Sequence, residues 1–202
     1  MDQKRLKTEI EAKFLDVDVD RLRETLRSIG ASQIQPERLM KRKIYDFPDS
    51  RLDKIGGWVR VRDEGDKTTL SYKQQNDDSL HGTKEVNVVV GDFESTCDFL
   101  ESIGLSEKSY QETRRESWAL EETEIEIDTW PWVPTFVEVE APDEDTMRTV
   151  LKQLGLKLDD ALHGGVAVVY RNYYNVSDDE VNNMKTITFD QMPSSLKGKS
   201  KA

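Results

Sequence analysis

The chain has 202 residues, 29 basic and 40 acidic, for a formal net charge of −11. That balance excludes a general binder of nucleic acid or anionic membrane, because the long-range field repels polyanions; a small polyanion stays open where basic residues converge or a metal ion bridges. Charged residues make up 34% of the chain against 36% hydrophobic, above the roughly 25% charged of ordinary domains, so the surplus must go to the surface, to disorder or into a polar interior.

No stretch reaches the length of a membrane helix, and Met1-Asp2-Gln3-Lys4-Arg5 leads into charged sequence without an apolar signal region. The single cysteine, Cys97, cannot form an internal disulfide, which fits a reducing compartment and makes the cytoplasm the expectation. The length suits a single domain, placed over residues 1–190.

In chain order, the first strand is Thr8 to Phe14, with Glu9, Glu11 and Lys13 on one face and Ile10, Ala12 and Phe14 on the other. Asp16 to Asp20 then supply a helix start, Leu22, Leu26 and Ile29 an apolar stripe, and Gly30 a stop. Lys41 to Phe47 reads as a strand ahead of the Pro48-Asp49-Ser50 turn. Trp58 to Arg62 and Thr68 to Lys73 flank Asp63-Glu64-Gly65-Asp66, a hairpin signal, and Lys84 to Val90 follows a polar loop. A second acidic-start helix carries Cys97, Leu100 and Ile103 before Gly104. Strands over Gln111 to Leu120, Glu124 to Thr129 and Thr135 to Ala141 come next, then a third such helix with Met147, Val150, Leu151 and Leu154 before Gly155. Val166 to Tyr174 fits a helix or a strand, Ser177-Asp178-Asp179-Glu180 a helix cap, and Lys185 to Phe189 a short strand. From Pro193 the chain is rich in Ser, Lys and Gly, and residues 191–202 are expected to form a disordered tail. The pattern predicts an α+β fold: an eight-stranded antiparallel sheet closed, or nearly closed, into a barrel with helices packed outside.

Charged residues alternate along most of these strands: Glu9, Glu11 and Lys13; Arg60 and Arg62; Lys73; Glu85; Arg115, or Arg114 if the local parity is the other; Glu124, Glu126 and Asp128; Glu138 and Glu140. If the apolar faces pack under helices, the charged faces line the inside of the barrel, where interleaved acids and bases around water are tolerable. An open sheet with one solvated face explains the same pattern. Carboxylates at i and i+2 lie roughly 6–7 Å apart along a strand, so two such pairs on facing walls can grip one or two hard cations. Arg60, Arg62, Lys73 and Arg115 supply fixed positive charge for phosphate oxygens. Acids for a metal beside bases for phosphate suit a metal–polyphosphate complex and phosphoryl transfer.

Glu9-Ile10-Glu11-Ala12-Lys13 resembles the Glu-x-Glu-x-Lys signature that opens the CYTH family, the triphosphate tunnel metalloenzymes. Tyr45-Asp46, Arg60 and Arg62, Lys73, Glu85, Arg115, Asp128 within Ile-Asp-Thr-Trp-Pro, and Glu138-Val139-Glu140 follow in the family's order, from Leu6 to Leu156. The resemblance implies an eight-stranded tunnel with its charged faces inward. It implies Mg²⁺ or Mn²⁺ on Glu9, Glu11, Glu138 and Glu140 with Asp128 nearby, and a triphosphate on Lys13, Arg60, Arg62, Lys73 and Arg115. Asn87 and Thr113 depart from it, standing where relatives often carry an acid and a base.

Family members hydrolyse a terminal phosphate or cyclise ATP, so inorganic triphosphate, ATP and thiamine triphosphate are the implied substrates. Hydrolysis is the leading expectation and class IV adenylate cyclase the alternative. A binding module that has lost turnover is a third, disfavoured by the full set of acids. Lys13, Lys73, Glu85 and Asp128 are the candidates for catalytic roles, and spacing does not rank them. Trp58, like Trp130 and Trp132, is read as packing, with stacking on a substrate ring as the alternative for Trp58. His81 and His163 are expected at the surface and Cys97 in the core. Tyr170, Arg171, Tyr173 and Tyr174 are expected in packing or dimer contact, or closing one tunnel end. A monomer and a homodimer both remain open.

Overall fold

A computed structural model describes residues 6–190 and 192–201. The chain opens on two short strands, β1 (Lys7–Thr8) and β2 (Ile10–Phe14), separated by Glu9 alone. Helix α1 (Val19–Ser28) follows, then β3 (Ser32–Asp46), β4 (Gly57–Asp63), β5 (Thr68–Gln75) and β6 (Thr83–Val90). After α2 (Phe93–Ser102) come β7 (Ser106–Leu120), β8 (Thr123–Thr129) and β9 (Phe136–Ala141), then α3 (Glu144–Leu154). The last elements are α4 (Ala167–Tyr173), α5 (Asp178–Asn182) and β10 (Thr186–Ile187).

The strand order is β1-β6-β5-β4-β3-β7-β8-β9-β2. Because the first and last members of that series are one piece of chain, the sheet returns on itself. Lys7 and Thr8 pair with β6, the Glu9 amide donates to the Thr83 carbonyl at 3.0 Å, and from Ile10 onward the strand pairs with β9. Taken as one broken strand, β1 and β2 make eight antiparallel walls with the rest, as the sequence predicts; β10 adds a short parallel pairing on β7 outside that series. Closure removes the free edges that an open sheet would expose. Past Glu9, β2 and β6 diverge, and the segment around Leu162 fills the seam: Lys13 and Leu162 exchange backbone bonds of 2.9 and 2.8 Å.

Alternation sends the apolar set outward beneath helices. Ala12, Ile125, Val137 and Val139 pack under Leu22 and Leu26 of α1 and Met147, Val150 and Leu151 of α3. Tyr45 and Val61 pack under Cys97 and Leu100 of α2. Each of these helices starts on an aspartate (Asp18, Asp92, Asp143) whose side chain accepts from the amide three residues on. Gly155 ends α3 in the left-handed region at φ 73°. None of the described helices is long and apolar enough to cross a membrane.

Two expectations change. Strand β3 begins at Ser32 rather than Lys41, carrying Pro36 through its first half beside register shifts between Gln33 and Arg38; irregular pairing is what tolerates a missing N–H. Residues 192–201, expected as a disordered tail, pack instead: Leu196 is fully buried with Val176 and Val181, and the Asn175 and Lys201 amides donate to Lys199 and Tyr173 carbonyls at 2.8 Å. One apolar side chain and the backbone bonds around it outweigh the polar composition. Residues 191 and 202 lie outside the described set.

Candidate active site

The barrel encloses a cavity of about 1040 Å³ whose lining is mostly charged. Acids predominate on one side and arginines on the other, with ion pairs joining them. Register places Glu11 opposite Glu140 and Glu140 opposite Glu124, a row of three carboxylates across β2, β9 and β8. The next row is Lys13, Glu138 and Glu126. The adjoining strands β3, β4 and β7 supply Arg38, Arg42, Arg60, Arg62 and Arg115 to the same cavity.

Strand parity fixes each of these side chains, and ion pairs hold most of them. Lys13 Nζ lies 2.6 Å from Glu11 and 3.4 Å from Glu138. Lys73 Nζ lies 2.8 Å from Glu9 and 3.8 Å from Glu85, and Arg60 donates to Glu85 at 3.1 Å. Arg115 spans both Asp128 oxygens and reaches Glu138 at 2.7 Å. Arg62 forks onto Glu64, which also accepts from Thr69 at 2.9 Å. The expected residues Glu9, Glu11, Lys13, Arg60, Arg62, Lys73, Glu85, Arg115, Glu138 and Glu140 all line the cavity. Asp128, fully buried, stands behind Arg115.

Arg114 does not join them. It is exposed on the other face of β7, with its guanidinium 4.9 Å from the Phe189 ring. Direct pairing of Arg115 with Asp128 sets the parity, and one residue's shift along a strand turns a side chain to the opposite face. Arg38 and Arg42, inward on β3, were not foreseen, because the sequence shows no alternation of charge around them. Of the departures, Asn87 accepts from Ser71 at 2.9 Å and Thr113, fully buried, accepts from Arg42 at 2.8 Å.

Crowding shifts the acids. Burial, then crowding by Asp128 and Glu138 against the pull of Arg115, brings Glu126 up to about 7. Glu140, whose carboxylate still meets solvent inside the tunnel, is pushed up to about 7 by desolvation, with Glu11 and Glu124 adding to it against Lys73. Burial works the other way on Glu138: it is overcome by Lys13 and Arg115, which hold that carboxyl well below the usual range. Burial also opposes charge on Lys13, yet Glu11 and Glu138 keep its ammonium well above the ordinary lysine value. Like-charged carboxylates directly opposite one another are destabilising unless protons or a cation intervene.

A model of the CYTH domain matches residues 7–190. The chain belongs to the CYTH domain family. Several solved structures share the fold at low identity. A candidate adenylate cyclase from Vibrio parahaemolyticus is 16% identical with a TM-score of 0.69, covering 82% of this chain and 98% of that one. A Pyrococcus horikoshii protein is 20% identical with a TM-score of 0.61, covering 76% and 93%. A candidate adenylyl cyclase from Hippeastrum, described as having a dominant triphosphatase activity, is 15% identical with a TM-score of 0.54, covering 81% and 94%. No curated protein matches the chain in sequence.

The CYTH tunnel here can be tested for the divalent cation the family implies. Among the described residues no three side chains of His, Cys, Asp or Glu are already gathered as a metal cage. The chemistry of the donor set nevertheless fits: the row Glu11, Glu140 and Glu124 offers hard oxygens only, and the Glu126 Oε2 is buried without a hydrogen-bond partner. The remaining expectations place simply. Trp58 lines the cavity and Trp130 lies beneath Arg42. His81 is exposed, while His163 is half-buried in the seam with Nδ1 at 3.4 Å from the Glu11 carbonyl. The Val166–Tyr174 segment forms α4, and Gly165 to Val168 line the cavity. The hydroxyls of Tyr170, Tyr173 and Tyr174 donate to Pro131, Asp16 and Trp132, and Arg171 pairs with Asp178.

Proposed function

We propose that this CYTH domain is a divalent-metal-dependent triphosphatase, binding a triphosphate along its tunnel and hydrolysing the terminal phosphate. The observation that carries this reading is the gathering of both charges in one cavity, with carboxylates predominating on the walls formed by β2, β8 and β9 and guanidinium groups on those formed by β3, β4 and β7. A polyphosphate with a bound cation is the ligand whose two faces match two such walls.

Glu9, Glu11, Glu138 and Glu140, with Asp128 nearby, would hold Mg²⁺ or Mn²⁺; the bound ion would supply charge neutralisation at the phosphate oxygens and polarise the bond under attack. Lys13, Arg60, Arg62, Lys73 and Arg115 would grip the triphosphate, arginine by forked contacts. A water oxygen attacks the terminal phosphorus, the bond to the bridging oxygen breaks, and the remaining diphosphate departs. All four candidates for moving the proton sit in ion pairs, and two are the most enclosed: Lys13 lies between Glu11 and Glu138, and both Asp128 oxygens are taken by Arg115. Lys13 therefore suits charge stabilisation and Asp128 the positioning of Arg115. Glu85 and Lys73, 3.8 Å apart and more open to the cavity, are suited to the water once bound phosphate draws Arg60 and Lys73 from their acids: Lys73 orients it and the Glu85 carboxylate takes its proton.

The test incubates the protein with Mg²⁺ or Mn²⁺ and, separately, inorganic triphosphate, ATP and thiamine triphosphate. Orthophosphate release is the expected result. Cyclic AMP with pyrophosphate from ATP would replace the hydrolase reading by the cyclase. Tight binding without turnover of any of the three would make the domain a binding module.

A further inference from the structure

Arg42 is the strongest feature that this function leaves unexplained. The side chain is 5% exposed and lines the tunnel from β3. Its Nη2 donates to Thr113 at 2.8 Å, its guanidinium lies 4.6 Å from the Trp130 ring centroid, and its Nε is buried with no hydrogen-bond partner. The other inward arginines differ. Arg60, Arg62 and Arg115 each have a carboxylate partner, and the half-buried Arg38 donates to the Glu64 and Arg115 carbonyls and the Ser117 hydroxyl. Among the described residues Arg42 pairs with no acid; Asp128, which bears on it electrostatically, already has both oxygens on Arg115.

A guanidinium out of water with only a hydroxyl and an indole face for company is undercompensated, since stacking on an aromatic face returns less than the desolvation of a charge costs. The neighbouring Arg60, Arg62 and Arg115 add repulsion. Nothing in ordinary packing calls for such a group, and a methionine or leucine of similar volume would fill the space at lower cost. We infer that Arg42, seated on Trp130 and steered by Thr113, is a further anion-binding residue of the tunnel, taking an oxygen of a bound phosphoryl group. The inference rests on the triphosphate reading above and adds to its five named phosphate ligands a contact from β3, which that reading counts only in the basic wall. Trp130 and Thr113 are positioning residues: the ring fixes the guanidinium plane and the hydroxyl holds one arm of the fork, leaving the other donors of the guanidinium for the ligand.

The experiment compares wild type with Arg42→Met and Arg42→Lys, measuring metal-free inorganic triphosphate binding by calorimetry and thermal stability with and without the same anion. Arg42→Met is expected to weaken binding about tenfold or more, as loss of a charge-assisted contact does. Its melting temperature without anion should hold or rise, while the anion-induced rise shrinks. Arg42→Lys should bind more weakly than wild type and more tightly than Arg42→Met, because it keeps the charge and loses the fork. If Arg42→Met does not fold, Arg42→Lys alone decides, and wild-type affinity in it overturns the inference. Wild-type affinity in Arg42→Met, or a large loss of stability without change in binding, makes Arg42 a structural residue. Wild type that binds no triphosphate either without metal or with Mn²⁺ added instead overturns the triphosphate reading, so the two failures are distinguishable.

Discussion

At Glu138 one carboxylate answers to two cations, Lys13 Nζ at 3.4 Å and Arg115 Nη2 at 2.7 Å, so its charge is set by the tunnel and not by solvent. Glu138→Gln keeps the volume and removes that charge; turnover should fall about 100-fold or more while circular dichroism shows the fold retained, at a lower melting temperature because Lys13 and Arg115 lose a shared partner. Unchanged turnover would put the metal elsewhere. Glu116 gives the opposite result. It projects to the outer side of β7, where it accepts from Arg23 at 2.7 Å and Trp118 Nε1 at 2.7 Å. Burial would raise this carboxyl, but Arg23 and Trp118 hold it below the ordinary glutamate value. A group whose folded value lies below its unfolded value, about 4.3, stabilises the fold above that pH and loses the contribution as pH falls through the folded value. Glu116→Gln should therefore cost about 1–2 kcal/mol at neutral pH in urea unfolding, with the gap to wild type closing in acid and with turnover untouched. Alternation made Glu9, Glu11 and Glu138 legible in the sequence. Arg42 was not, because its signal is a missing partner, and a missing partner shows only once neighbours are known.

Among the elements, those with a strong period were placed by sequence and those held by contacts were not. Helices α1, α2 and α3 fall where aspartate starts and apolar stripes put them, each with the aspartate as its cap. Asp143→Ala should cost about 1 kcal/mol through loss of the bond from the Thr146 amide, measurable by denaturant midpoint. The first half of β3 was not placed, because Pro36 and the mixed polarity of Ser32 to Arg38 carry no strand period; its strand state comes from pairing with β7. Residues 192–201 are the same case. Composition suggests disorder, whereas Leu196 is buried in the cluster that includes Val168, Tyr170 and Val181. Leu196→Ala should cost about 2–4 kcal/mol, since the site loses both transfer energy and packing. A change under about 0.5 kcal/mol, the range of a surface substitution, would mean that this segment adds nothing to the fold.

Across the whole molecule the excess of acid is partly an internal matter. A net charge of −11 would ordinarily repel a polyanion, yet β3, β4 and β7 bring five arginines to one cavity wall. Most of the tunnel's bases presently sit on its acids: Lys13 with Glu11 and Glu138, Lys73 with Glu9, Arg60 with Glu85, Arg115 with Asp128. A triphosphate that takes the bases strands the carboxylates beside it, and a cation that takes the carboxylates strands the bases. Each ligand alone pays the cost of breaking those pairs, and the second finds it already met, so binding of the two must be positively coupled. The expected coupling is of the ordinary size, about 1–3 kcal/mol or roughly 5–150-fold in affinity. Melting temperatures of metal-free protein should rise modestly with Mn²⁺ alone or inorganic triphosphate alone, and by more than the sum with both. Glu138→Gln, with one fewer carboxylate to strand, should keep the rise with triphosphate alone and lose most of the excess. A strictly additive response in wild type would mean that the two ligands do not compete for these ion pairs, and that the acidic and basic walls act as separate sites.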